Sequence, residues 1–317
     1  MKRTNDFLIK KNYSIFVSLV FFLFFFLPLT GCGAEKHEAY VSASTTIRDN
    51  TPVCLVPSAD GDIIYSNDRV TVDISNLSEG YIMALYTGSN HKVKLQLTGP
   101  DYMTYTYDLN GDSYEVFPLS AGNGTYQLGI YENIDGNQYA AILSEQFDAQ
   151  ITNEMGPFLY PNQYVKFNSS SNIVSKASEL VSPAKDDLEA IMHIYNYVTE
   201  NITYDYDKAQ NVQSGYIPSV DEILASKTGI CLDYASVMTG MLRSQQIPTR
   251  LEVGYAGEAY HAWISSYVEC QGWINGIIQF DGKSWSIMDP TFAANAGEET
   301  LKNFIGDGSN YVTKYIY

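Results

Sequence analysis

Between residues 62 and 148 the large apolar side chains recur at every second position: Val70, Val72 and Ile74, then Tyr81, Met83 and Leu85, then Val93, Leu95 and Leu97, then Tyr126, Leu128 and Ile130. A period of two is the repeat of a pleated strand and does not line one face of a helix, so this stretch is restricted to β-structure. Turn signals separate the runs at Glu79-Gly80, Gly88-Ser89-Asn90, Gly99-Pro100, Asn110-Gly111-Asp112, Gly122-Asn123-Gly124 and Asp135-Gly136-Asn137. Short strands broken at this spacing predict an antiparallel β-sandwich over residues 61–151. The turn Asp and Asn residues suit hairpin geometry. None follows the ligand spacing of an EF-hand, so no metal is expected there. Tyr102, Tyr105 and Tyr107 alternate along one run and either cover a sheet face or stack on a sugar.

The period then changes. Residues 152–170, with Pro157 and Pro161, read as a linker or a strand leading into a second domain over 152–317. Leu188, Ile191, Met192, Tyr195, Val198 and Ile202 follow three- and four-residue spacings, a helix whose start carries Pro183, Asp186 and Asp187. His193 lies on the flank of that stripe. Ser219-Val220-Asp221-Glu222 has the spacing of a capping box and opens a short helix ending at Lys227-Thr228-Gly229. A further helix runs from Cys231 to Gln246 and stops at Pro248. Strands are predicted over 250–255, 261–268, 273–280 and 284–288, the last two joined at Asp281-Gly282. The predicted fold class is α+β: an N-terminal antiparallel β-sandwich, then a domain of helices followed by a sheet.

Before the sandwich, Lys2, Arg3, Lys10 and Lys11 precede an apolar run from Ile15 to Leu29, the layout of an export signal. The run is shorter than the ~20 apolar residues of a membrane span. It ends at Leu29-Thr30-Gly31-Cys32, which resembles the lipobox of bacterial lipoproteins and marks residues 1–31 as signal peptide and Cys32 as the lipidated residue. Residues 32–60 then form a lipidated tether, polar and small-residue-rich at its start. The expected location is extracellular, lipid-anchored to the bacterial cell membrane. Without residues 1–31 the chain keeps 15 basic against 35 acidic residues, a net charge of −20. A surface that acidic has no footprint for phosphates, which excludes nucleic acid as a partner and leaves the lipid to hold the protein at the membrane.

Chemistry gathers in the second half. A thiol is a nucleophile only as thiolate, and helix N-termini favour the anion, with pKa values of about 3.5–7.5 for cysteines so placed. Cys231 opens a helix after the turn Thr228-Gly229-Ile230, where a backbone N–H can also serve an oxyanion. His261 opens a strand further on, as His261-Ala262-Trp263, and supplies an imidazole. Asp289 follows the strand 285–288, which would pair beside the histidine strand through the Asp281-Gly282 hairpin and bring the carboxylate to the imidazole.

Gly229-Ile230-Cys231, His261-Ala262-Trp263 and Asp289-Pro290-Thr291, in this order, resemble the core of the transglutaminase-like superfamily, whose fold is papain-related. The resemblance extends to residues 201–205, to Met241-Leu242-Arg243 and to Ile247-Pro248-Thr249-Arg250, and spans roughly residues 170–295. It implies Cys231 as nucleophile forming a thioester, His261 as general base and acid, and Asp289 as the residue that orients the imidazole. It departs at Ile264-Ser265-Ser266, where relatives often carry an Asn and an acidic residue, and at 269–279, which has the look of an insertion. Tyr204 is either core packing or an oxyanion donor. The function implied is a surface-anchored cysteine enzyme acting on peptide or glutamine amide bonds, by hydrolysis, deamidation or cross-linking, with a protein or cell-wall peptide as substrate. The alternative is a non-catalytic surface scaffold whose sandwich binds wall polysaccharide or protein. No cofactor motif is present. Cys54 and Cys270 either bridge the two domains or stay free.

Overall fold

The computed structural model describes residues 48–111, 113–269, 271–275, 277–280, 285–288 and 311–317, with backbone alone for 275, 277–280 and 285–288. Strands β1 (Ile64–Ser66), β2 (Val70–Asp73), β3 (Tyr81–Tyr86) and β6 (Glu115–Pro118) form one four-stranded sheet in the order β1-β2-β3-β6. Strands β4 (Val93–Thr98), β5 (Thr104–Asp108), β7 (Gly124–Asp135) and β8 (Gln138–Ala149) form a second, in the order β5-β4-β7-β8. All pairings in both sheets are antiparallel. Val70, Val72 and Ile74 from one sheet and Val93, Leu95, Leu97, Tyr126, Leu128 and Ile130 from the other are buried in one shared core. The period-two runs that predicted strands therefore face each other across a sandwich.

One run faces the other way. In β3 the core-facing residues are Ile82, Ala84 and Tyr86, not Tyr81, Met83 and Leu85. Tyr81 and Met83 are buried as well, and the Tyr81 ring lies 4.7 Å from that of Tyr160. Because both faces of this strand are covered, every position is apolar, and alternation cannot tell one face from the other.

The second half places helices α1 (Asn172–Val181), α2 (Asp187–Asn201), α3 (Tyr206–Asn211), α4 (Val220–Ser226) and α5 (Cys231–Arg243) before most of its strands. Every residue of α5 from Asp233 to Arg243 is buried. The helix packs on α1, α2 and α4 and on strands β11 (Thr249–Ala256) and β12 (Ala259–Val268). Its apolar side chains Val237, Met238, Met241 and Leu242 are fully buried, each worth about 1.5–3 kcal/mol. At α2 the expected cap is present: Asp186 accepts a hydrogen bond from Glu189 N at 2.8 Å. At α4 it is not, since Ser219 makes no side-chain cap bond. Instead Asp221 accepts from Asn172 N and Ile173 N, both at 3.0 Å, and satisfies the orphan donors of the neighbouring helix α1.

Two short strands, β9 (Thr203–Tyr204) and β10 (Thr228–Gly229), pair in parallel just before α3 and α5. The main sheet has the order β13-β12-β11-β16, with β13 at Gly272–Asn275 and β16 at Tyr311–Ile316. The strand expected over 273–280 is two: β13 pairs with β12, whereas β14 (Ile277–Phe280) pairs with β15 (Trp285–Met288) in a separate ribbon. Among the described residues β15 bonds to β14 and not to the histidine strand. The strand β16 has no counterpart in the sequence reading. It covers the edge of β11 that would otherwise be open.

Tyr105 and Tyr107 are buried, with rings 5.4 Å and 6.0 Å from Tyr315 and Tyr317 respectively. They cover a sheet face, as one of the two readings had it, and the layer they pack against is the C-terminal strand. Through this aromatic contact one hydrophobic core runs from the sandwich into the helices. Among the described residues no helix is long and apolar enough to cross a membrane. The expected export signal, Cys32 and the start of the expected tether lie outside the described residues, as do Cys270, Asp281-Gly282 and Asp289.

Candidate active site

Cys231 is the first residue of α5, and Ile230 before it is extended, with φ −97° and ψ 178°. The approach to the helix is held by the β9–β10 pair, in which Thr203 N donates to Lys227 O and Asp205 N to Gly229 O, both at 2.9 Å. Asp233, in the first turn, folds its carboxylate back to accept Ile230 N at 2.8 Å. That carboxylate is wholly buried. It also accepts from Lys208 Nζ and Tyr216 OH, each at 2.6 Å. Burial alone would lower Lys208, but its bonds to Asp233 and Tyr216 outweigh that and raise it above the ordinary lysine value. Burial, with the Asp233 carboxylate second, pushes the Tyr216 phenol up to about 12. The folded-back carboxylate also explains Gly229: a Cβ there would lie 2.6 Å from Asp233 Cβ.

Asp233, Lys208 and Tyr216 were not singled out in the sequence. The signal was an acid two residues after the cysteine, in the helix turn where a carboxylate can reach back to a free N–H. We expect Asp233→Ala to cost about 2 kcal/mol, because it leaves Ile230 N without its acceptor and Lys208 without its counter-charge. Chemical denaturation reads this directly, and a loss below about 0.5 kcal/mol would show that the cap is dispensable.

Cys231 and His261 border the same cleft, of about 700 Å³. Its lining comes from Tyr204 and residues 212–217, from Tyr260, Tyr315 and Tyr317, and from Lys94, Thr106 and Asp108 of the sandwich. Cys231 is half-buried, and His261 is 7% exposed. His261 sits near the start of β12, directly across from Gly254 of β11. A Cβ at Gly254 would lie 2.1 Å from the Val312 carbonyl, so glycine there lets β16 close onto the sheet beside the histidine. Along β12, Ala262, Ile264 and Val268 belong to the core cluster. His261 and Trp263 alternate with them, and the Trp263 ring stands edge-on to Tyr311 at 5.0 Å.

Tyr204 is both core and wall: its ring lies 6.4 Å from that of Tyr234 while it lines the cleft. Cys54 is a half-buried free thiol, and burial pushes its pKa up. Among the described residues no group of three or more His, Cys, Asp or Glu side chains is placed to hold a metal.

Residues 174–290 match the family model described as the transglutaminase-like superfamily. This stretch is a transglutaminase-like domain. It holds Cys231 and His261 as well as Asp289, whose position lies outside the described residues. The chain is 24% identical over 254 residues to UPF0252 protein MJ1282 of Methanocaldococcus jannaschii, covering 73% of this chain and 70% of that one. It is 23% identical over 195 residues to the uncharacterized protein YebA of Bacillus subtilis, covering 53% of this chain and 26% of the other. Among solved structures, a cysteine-protease candidate from Cytophaga hutchinsonii aligns over 80% of this chain and 73% of its own, at 14% identity and a TM-score of 0.38. Red sea bream transglutaminase aligns over 67% of this chain and 48% of its own, at 14% identity and a TM-score of 0.30. What the transglutaminase-like domain can do must therefore be argued from its own cleft.

Proposed function

We propose that the protein is a cysteine enzyme acting on peptide or glutamine amide bonds through a thioester. Cys231 Sγ attacks the carbonyl carbon, the thiol proton passes to His261, and His261 returns it to the leaving amine as the C–N bond breaks. Water or a second amine then releases the acyl group, giving hydrolysis or cross-linking. Asp289 is assigned the task of holding the imidazole in the correct tautomer. The observation that carries this reading is that a cysteine opening a buried helix shares one cleft with a histidine. The stacking surface needed by a polysaccharide-binding scaffold is reduced, since Tyr105 and Tyr107 are buried and Tyr102 alone of the three is exposed. The proposal extends to location: lipid-anchored through Cys32 outside the cell membrane, with protein or wall peptide as substrate.

The test is alkylation of the thiol by iodoacetamide, followed by intact mass. At pH 6 we expect Cys231 to react at least about tenfold faster in the wild type than in His261→Ala, as an imidazole-activated thiol does. Equal rates in the two proteins would mean that the histidine does not act on the thiol, and the enzymatic reading would fall.

A further inference from the structure

A second cavity, of about 300 Å³, shares no lining residue with the Cys231 cleft. Ser120 and Asn123, between β6 and β7, border it together with Glu154, Phe158, Arg250 near the start of β11 and Trp273 of β13. Arg250 and Glu154 are the charged residues of this lining. The guanidinium of Arg250 lies over two rings, with Cζ 4.7 Å from the centroid of Phe158 and 3.7 Å from that of Trp273. The rings themselves meet edge-on at 5.1 Å, so the group sits in an aromatic corner. Stacking is its whole support: among the described residues the side chain makes no hydrogen bond or ion pair, and Nε is buried without a partner.

Two acids stand near Arg250, and neither pairs with it. Glu252, two residues along β11, already accepts from Ser265 Oγ and, at 2.6 Å, from Thr313 Oγ1. Burial pushes the Arg250 pKa down, and the Glu252 charge offsets only part of that. Glu154 is exposed and in no ion pair among the described residues. Ser120 Oγ is a second buried polar atom without a partner. A buried donor without an acceptor costs free energy that folds normally avoid. Two of them, more than a hundred residues apart in sequence and lining one cavity, mark a place for an acceptor. The fork of N–H groups on a guanidinium matches the two oxygens of a carboxylate, and the rings hold that fork in place. The volume is at the small end for ligand sites and suits a group of amino-acid size. Glu154 adds negative charge, which disfavours a phosphate dianion more than a single carboxylate.

We propose that this cavity binds the carboxylate of an amino-acid-sized group, a chain end or an acidic side chain, through the Arg250 guanidinium and the Ser120 hydroxyl. The site stands apart from the cysteine-enzyme reading and does not depend on it. Isothermal calorimetry on the full chain tests it with four probes. N-acetylalanine carries its carboxylate at a chain end, and the α-amide of N-acetylaspartate carries it on a side chain. N-acetylalanine amide carries none, and inorganic phosphate is the competing anion.

We expect at least one carboxylate to bind about tenfold or more tightly than the amide and than phosphate, and the tighter of the two names the source. Arg250→Lys keeps the charge but loses the fork, and it should weaken that binding about tenfold, as should Arg250→Gln. Ser120→Ala should weaken it about threefold and decides the matter if the Arg250 variants do not fold. Glu154→Gln should leave binding unchanged or tighten it. Carboxylates that bind no better than the amide or not at all, phosphate as the tightest probe, binding unchanged in Arg250→Lys or in Ser120→Ala, or binding lost in Glu154→Gln would each overturn the proposal.

Discussion

Cys231→Ala is expected to lower turnover of a glutaminyl peptide by about 10³-fold or more, and to abolish the acyl adduct seen by intact mass after quenching in acid. The loss is large because no other group in the cleft offers a comparable nucleophile: among the described residues the remaining free thiol is Cys54, which does not line it. The substitution should leave the fold alone. Cys231 is half-buried, and the cap of α5 is supplied by Asp233. Alanine is also the best helix former. His261→Ala should cost nearly as much as Cys231→Ala. The double variant should be no worse than either single one, because a nucleophile and its base act as a unit. A Cys231→Ala protein that keeps its rate within tenfold would place the chemistry elsewhere or remove it.

Arg243→Met should destabilise the protein by about 3–5 kcal/mol, a large share of the 5–15 kcal/mol by which domains are stable. Arg243 is the last residue of α5 and is wholly buried. Its Nε and Nη2 donate to Thr249 O at 2.9 and 2.8 Å, Nη1 donates to Tyr160 O at 2.8 Å, and Nη2 also donates to Tyr317 O at 2.7 Å. Burial pushes its pKa down to about 9. One side chain thus ties α5 to the start of β11, to the segment before α1 and to the end of β16. Methionine fills much of the space but takes the guanidinium donors away from Thr249 O and Tyr160 O, while Tyr317 O keeps only Leu251 N. Denaturant titration measures the loss. Hydrogen exchange should show where it begins, with the reciprocal amides of Leu251 and Tyr317 exchanging earlier than those of the sandwich. A loss below about 1 kcal/mol would mean that water replaces the guanidinium.

Much of the second half could be read residue by residue. Cys231 opens a helix and His261 lies in the strand where the sequence placed it, because a turn glycine, a helical apolar stripe and a β-rich run are local signals. Gly229 belongs to the same motif, yet its necessity appears only once Asp233 is seen folded against it. The Lys208–Asp233–Tyr216 contacts span 8 to 25 positions and carry no periodicity. The capping box at Ser219 failed for a related reason. Local spacing proposed a bond within one helix, but Asp221 found stronger use on the N-terminus of another.

By itself the sequence determined the strands of the sandwich, the helices that become α2, α4 and α5 and the strands that become β11 and β12, the α+β class of the second half, and the places of Cys231 at a helix start and His261 in a strand. Those properties follow from periods of two and of three to four and from the intrinsic reactivity of a few side chains, all of which are local. The tertiary structure alone decided which face of β3 looks inward, that β16 returns to cover β11, and that sandwich residues line the cleft holding Cys231. Each of these is a choice between partners far apart in the chain. It is settled by the shared burial of side chains such as Tyr105, Tyr107, Tyr315 and Tyr317, whose apolar surface fits more than one arrangement until the rest of the core is in place.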